Sequence, residues 1–381
     1  PLFLLLMLAV FFITFGPLGT CLKDGAEWLI TDVFSGFVSN LLTAWGASAW
    51  ARSLLLDGVI AGVGSVISFL PQIMLLFTLL SVLEDSGYMA RAAFIMDKLL
   101  RGIGLSGKAF VPMLMGFGCT VPAVLGTRTL ENEKDKRLTI LITPFMSCSA
   151  KMPVYLLFIS AFFPNTSFLV IFAIYLLGMF IAVLTALLFK NTLLKGQSAP
   201  FVMELPPYRM PAPKSLWLHV WERLKDFLIR AGTVIMGASI LIWFLQSFDF
   251  SMRMVTDSSQ SMLAAAGIAI APIFTLCGFG HWQASVSLVT GLVAKESVVS
   301  TMAVLYGGSA MAAAADFTPL SAFSFMVFVL LYTPCVAALS AIRREMASAK
   351  WTILAVVYQL AAAWFVSAFV FQIATLFENL F

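Results

Sequence analysis

Apolar residues run through this chain in long blocks separated by short polar clusters. Each block is close to the about 20 residues that carry an α-helix across a ~30 Å hydrocarbon core. Residues 2–15 form the first block. Residues 23–57 are mixed, with Trp28, Val33, Phe34, Phe37, Leu41 and Trp45 in an amphipathic pattern. They predict an interfacial helix on the non-cytoplasmic side, with an external loop as the alternative. Residues 58–83 are apolar, interrupted by Pro71 and closed by Glu84 and Asp85; Lys98, Arg101 and Lys108 then favour the cytoplasmic face. Residues 110–126 are short, rich in Gly and Pro, and flanked by cations at both ends, so they predict a re-entrant hairpin. Residues 138–162 and 167–189 predict ordinary spans, joined by an outward-facing turn at Pro164, Asn165 and Thr166.

Residues 190–213 are polar and proline-rich, with Lys190, Lys195 and Arg209 marking them cytoplasmic. Residues 215–230 set Leu216, Trp217, Val220, Trp221, Leu224 and Phe227 against His219, Glu222, Arg223 and Lys225, the pattern of a helix lying on a membrane surface. Further spans are predicted over 229–245, 262–277, 282–306, 323–341 and 351–376. The organisation expected is therefore a first membrane half (1–190), a cytoplasmic linker with an amphipathic helix (191–230) and a second membrane half (231–381).

The halves echo each other. Gln72 and Asp85 can be laid on Gln283 and Glu296, and Cys119 followed by Arg128 on Cys335 followed by Arg343. Transporters are often built from such repeats, with the substrate site between them on broken helices. An inverted repeat puts the loops after Cys119 and Cys335 on opposite faces, yet Arg128, Lys134, Lys136 and Arg137, like Arg343, Arg344 and Lys350, all argue for the cytoplasm. Both arrangements stay open at this stage.

Composition fixes the class. The chain is 61% hydrophobic and 11% charged, with a mean hydropathy of +0.97, far from an average soluble domain. The period-2 alternation of barrel strands is missing, so the fold expected is all-α: a polytopic transmembrane protein with two gate-type repeats and re-entrant or broken helices. A net charge of +4 without a basic block argues against nucleic acid as a partner. The five cysteines show no CxxC spacing, which argues against a disulfide framework. Because Pro1 opens directly into an apolar run without preceding cations, it reads as the start of a fragment rather than of a signal peptide.

Ionisable groups beside the apolar runs are Glu84, Asp85, Lys295 and Glu296. Such charges face a cavity or a partner; alternatively, Glu84 and Asp85 sit at the interface and Lys295 pairs with Glu296. Cys119, Cys148 and Cys335 each lie beside helix breakers (Gly116, Gly118, Pro122; Pro144, Pro153; Pro334) with Met113, Met115, Met146 and Met152 near in sequence. Broken helices expose carbonyls, and thiols or thioethers could complete a site for a borderline or soft cation. The alternative is that each cysteine is a small apolar residue. Cation binding at a thiol displaces its proton. His281 is a weak ligand candidate or a helix-terminal residue. No HExxH, Walker A or GxSxG motif is present, so catalysis and nucleotide binding have no candidate residues.

Five segments together, LEDSGYMARAAFIMD, GFGCTVPAVLGTRTLEN, PFMSCSAKMPVYLLF, PFVMELPPYRMP and HWQASVSLVTGLVAKE, resemble the membrane domain of the ferrous iron transport protein B family, FeoB. The resemblance implies a bacterial or archaeal inner-membrane importer of Fe(II) whose G domain, carrying GTP and Mg, precedes the region seen here. It implies gates over 110–155 and 323–371, and metal-path residues Cys119, Cys148, Cys335, Glu84, Asp85 and Glu296. The partners implied are membrane lipid, the G domain of the same protein, small cytoplasmic Feo accessory proteins and a possible homo-oligomer. The 306–322 segment is shorter than the family loop, and Thr120 stands where Asn is common. Two rivals are a gate-type permease for a nucleoside or other organic solute and a membrane scaffold that docks a soluble GTPase on 190–230.

Overall fold

The computed structural model describes residues 2–46, 48–194, 208, 212–255, 258–306, 312 and 316–380. Most of the proline-rich 190–213 stretch, together with residues 307–311 and 313–315 of the 306–322 segment, lies outside the described residues. The structure is 84% helical, with no strand among the described residues. In chain order the α-helices are α1 (Leu2–Phe15), α2 (Pro17–Trp28), α3 (Ser35–Ala44), α4 (Ala49–Ser53), α5 (Ala61–Asp85), α6 (Tyr88–Gly102), α7 (Phe110–Gly118), α8 (Thr120–Gly126) and α9 (Glu133–Ile142). They continue with α10 (Met152–Phe162), α11 (Ser167–Asn191), α12 (Pro213–Ser247), α13 (Met262–Ile270), α14 (Trp282–Thr290), α15 (Ser297–Leu305), α16 (Pro319–Leu331), α17 (Val336–Met346) and α18 (Ala349–Leu380).

Among the described residues six helical segments are long and apolar enough to cross a membrane, or seven if the pair Met262–Cys277 and Trp282–Thr290, bent by 103°, forms one span. The bend falls at Gly278, whose φ of +85° suits a residue without a Cβ.

Contacts group the helices into two units. One holds Pro1–Arg101, Ser106–Val111 and Ala199–Phe244; the other holds Gly102–Leu105, Pro112–Ser198 and Leu245–Phe381. The second unit thus contains all three breaker-flanked cysteines and most of both expected gate stretches. Its most buried element is α16, in which Phe325 to Leu331 are at most 3% exposed. Phe325 packs within 5.2 Å, centroid to centroid, of both Phe158 and Phe279. Small residues bring α18 close: Ser324 Oγ donates to the Cys277 carbonyl at 2.7 Å, and Ser367 Oγ donates to the Ser324 carbonyl at 3.0 Å.

Several elements differ from the sequence expectations. Residues 23–57 are not a single interfacial helix: α2, a π-helical turn over Leu29–Phe34, α3, α4 and a second π-helical turn over Leu54–Ile60 share them, and α2 packs on α5. The surface helix over 215–230 and the span over 229–245 are one helix, α12, of 35 residues. No breaker separates them, and at 1.5 Å per residue the helix is about 52 Å long, well over the ~30 Å core.

Conversely, 138–162 falls within a stretch long and apolar enough to cross a membrane, Glu133–Phe162, but it is interrupted. It stops after Phe145 and restarts at Ser149, near Pro144 and Pro153. The expected spans over 282–306 and 323–341 are also interrupted, between Thr290 and Ser297 and between Leu331 and Val336.

Candidate functional site

Cys119, Cys148 and Cys335 occupy the same structural position. Each is the last extended residue before a helical segment starts, with ψ of 134° at Cys119, 158° at Cys148 and 158° at Cys335. The chain breaks there because a helix restart needs one residue outside the helical region, followed by donors not yet used inside the helix. Proline supports two of the restarts: Pro144 cannot donate into the turn before Cys148, and Pro334 precedes Cys335 directly. All three thiols are unpaired in disulfide terms and half-buried. They lie near enough to interact electrostatically with one another.

Backbone and side-chain bonds tie the breaks together. Ser149 Oγ donates to the Gly118 carbonyl at 3.0 Å, joining the Cys148 break to the Cys119 break. The Val336 amide donates to the Leu292 carbonyl at 2.8 Å, joining the Cys335 break to the one between α14 and α15. Lys151 and Lys295, each 2% exposed, reach across the same region: Lys151 Nζ donates to the Leu330 carbonyl at 2.7 Å and Lys295 Nζ to the Thr333 carbonyl at 2.6 Å.

Glu296 follows Lys295 and lies within electrostatic range of Cys335. His281 sits at the N-cap of α14, its ring edge-on to Phe317 at 4.6 Å, which fits the helix-terminal alternative. Among the described residues, no group of three or more His, Cys, Asp or Glu side chains is arranged to hold a metal ion.

Glu84 and Asp85 end α5 in the other unit. Glu84 forms an ion pair with Arg223 at 3.1 Å, with its side chain 46% exposed. The sequence placed the three cysteines beside helix breaks, where the structure has them as N-caps, but Lys151 was not among its candidates. The signal for it was present: a lysine inside an otherwise apolar run needs a buried partner.

The question of sidedness also changes. Helices α8 and α17, which begin at Cys119 and Cys335, pack against each other. At their far ends Glu345 bonds Arg128 Nη2 at 2.5 Å and Lys136 Nζ at 3.4 Å. The loops after Cys119 and Cys335 therefore lie side by side, not on opposite faces as an inverted repeat requires. Both carry an excess of Arg and Lys.

Membrane helices that stop, expose carbonyls and thiols, and start again define a gate-type membrane protein. The family model described as Gate, nucleoside recognition, matches residues 66–162 and 228–349, and the model described as ferrous iron transport protein B C terminus matches residues 171–223. The chain belongs to the ferrous iron transport protein B family.

The Fe(2+) transporter FeoB of Staphylococcus aureus is 45% identical over 381 residues, covering 99% of this chain and 57% of that protein. The protein of the same name from Methanocaldococcus jannaschii is 42% identical over 356 residues, covering 91% of this chain and 53% of that protein. A Porphyromonas gingivalis protein named as a fusion of Fe(2+) transport protein A with Fe(2+) transporter FeoB is 42% identical over 429 residues, covering 99% of this chain and 50% of that protein. This chain thus spans about half the length of these curated relatives. No solved structure matches it.

Proposed function

We propose that this chain is the membrane permease domain of a ferrous iron importer of the bacterial or archaeal inner membrane. The observation that carries the reading is the convergence of three half-buried thiols at helix restarts within one unit. Fe(II) lies low in the divalent affinity order, so selection rests on geometry and on a mixture of sulfur and oxygen donors. A conducting site must also release its ion, which suits ligands that assemble only in passing.

In this reading Cys119, Cys148 and Cys335 provide a transient site, losing a proton as the cation arrives. Glu84, Asp85 and Glu296 attract the cation and help strip its water. The gates are 110–155 and 323–371, set in related halves about the 191–230 linker. GTP and Mg bind a G domain elsewhere in the full protein, which regulates the gates. Fusion of a transport protein A to one relative supports small accessory proteins as partners.

The test is ferrous uptake by full-length protein carrying Cys119→Ser and Cys335→Ser together. At equal expression uptake falls at least tenfold; unchanged uptake removes the thiol role. The family model's description motivates a nucleoside arm in the same assay. Uptake of labelled nucleoside without Fe(II) flux would replace the iron reading.

A further inference from the structure

The thiol site leaves two buried cations unused. Lys151 and Lys295 are each 2% exposed, and a charge so placed must be matched by hydrogen bonds or an opposite charge. Both find backbone carbonyls, and both converge on the same helix end. Lys151 Nζ donates to the carbonyls of Leu330 at 2.7 Å, Pro144 at 3.2 Å and Met146 at 3.4 Å. Three acceptors match the three N–H donors of an ammonium group. Lys295 Nζ donates to the Thr333 carbonyl at 2.6 Å and stands 2.9 Å from the centroid of the Tyr332 ring.

Leu330 and Thr333 flank the C-terminal end of α16. The last carbonyls of a helix have no intrahelical donor, and they form the negative end of its dipole. Broken helices of transporters use such ends to coordinate cations. An independent observation marks the same place. The hydroxyls of Tyr332 and Thr333, residues each 2% exposed, have no hydrogen-bond partner among the described residues. The turn that ends α16 therefore offers more oxygen donors than the two lysines use.

We propose that the carbonyl end of α16, built from Leu330, Thr333, Pro144 and Met146 with the Tyr332 and Thr333 hydroxyls, is an oxygen-donor site for the transported divalent cation. Lys151 and Lys295 are its tethered occupants while the gate is closed. The two amines fill carbonyls that a dication would need, so the cage opens to the ion only as the lysines leave it. The lysines then act as a built-in plug: a monovalent cation cannot replace both, and an unloaded gate does not leak. This inference rests on the permease reading and adds to it a second site, of oxygen rather than sulfur.

The test uses the full-length protein in proteoliposomes. Lys295→Met and Lys151→Met should each raise nucleotide-independent Fe(II) entry at least tenfold, and Lys295→Arg should stay within about twofold of the wild type. A folded Met variant with unchanged or reduced basal entry would overturn the plug. Should the variants fail to fold, the wild-type protein decides. Anaerobic acylation by a small neutral reagent, read by mass spectrometry, should rise at least threefold at Lys151 or Lys295 in saturating Fe(II), with Lys23 as the control. Intact wild-type flux with unchanged labelling of both lysines overturns this inference alone, whereas absence of wild-type Fe(II) flux overturns the permease reading and this inference with it.

Discussion

In α5, Pro71 lies well inside a 25-residue helix that continues to Asp85, whereas in the cysteine-bearing unit Pro144 and Pro334 fall where helical segments stop. Charges differ between the two units in the same way. Glu84 at the end of α5 meets Arg223 with both side chains more than two-fifths exposed, while Lys151 and Lys295 are almost fully enclosed and Glu345 is held at 5% exposure between Arg128 and Lys136. A proline in an apolar run is therefore not enough to make a site. A proline-associated break matters when the carbonyls it frees meet a buried cation and a second break, as they do around α16.

The sharpest way to break this contrast is topological. Lys134, in the first turn of α9, and Arg344, in the last turn of α17, are both exposed, and Glu345 pairs α17 with Arg128 and with Lys136 of α9. Lys134→Cys and Arg344→Cys should label with an impermeant maleimide from the same, cytoplasmic, side. Labelling from opposite sides would restore the inverted arrangement and contradict the Glu345 contacts.

Glu345→Gln comes next in size. It removes the charge that joins two cationic side chains and leaves them repelling one another beside a buried amide, at a cost of about 1–3 kcal/mol. Thermal unfolding of the detergent-solubilised protein should shift down by several degrees, and an unchanged midpoint would show that the two loops are held by packing alone. Glu84→Gln should be the mildest. Its exposed pair is worth about 0–1 kcal/mol, so the midpoint should barely move. A reduction in ferrous uptake at low salt that fades at high salt would show the carboxylate collecting cations.

The helical class, the long apolar blocks and the placing of Cys119, Cys148 and Cys335 at helix breaks were legible in the sequence. Membrane blocks announce themselves by length and hydropathy, and breakers beside cysteines mark restarts. The interruption at 291–296 was less legible: no proline or cysteine marks it, and the helices on either side are apolar enough to read as one span. The amphipathic start of α12 misled in the opposite direction: its polar face looks like a surface helix, but nothing in Pro213–Ser247 ends the hydrogen-bond ladder. Lys151 was visible and unread. Its partners are carbonyls of Pro144, Met146 and Leu330, the last of them 179 residues away, and no local pattern reports such a contact.

In the proposed permease the cation touches the thiols at the helix restarts. Alkylation of the wild-type, full-length protein measures this directly, comparing Cys119 and Cys335 with exposed Cys21 in the absence and presence of Fe(II) under anaerobic conditions. Saturating Fe(II) should slow modification of Cys119 and Cys335 at least threefold and leave Cys21 unchanged. Equal rates at Cys119 and Cys335 with and without Fe(II), in a preparation that transports it, would contradict the claim.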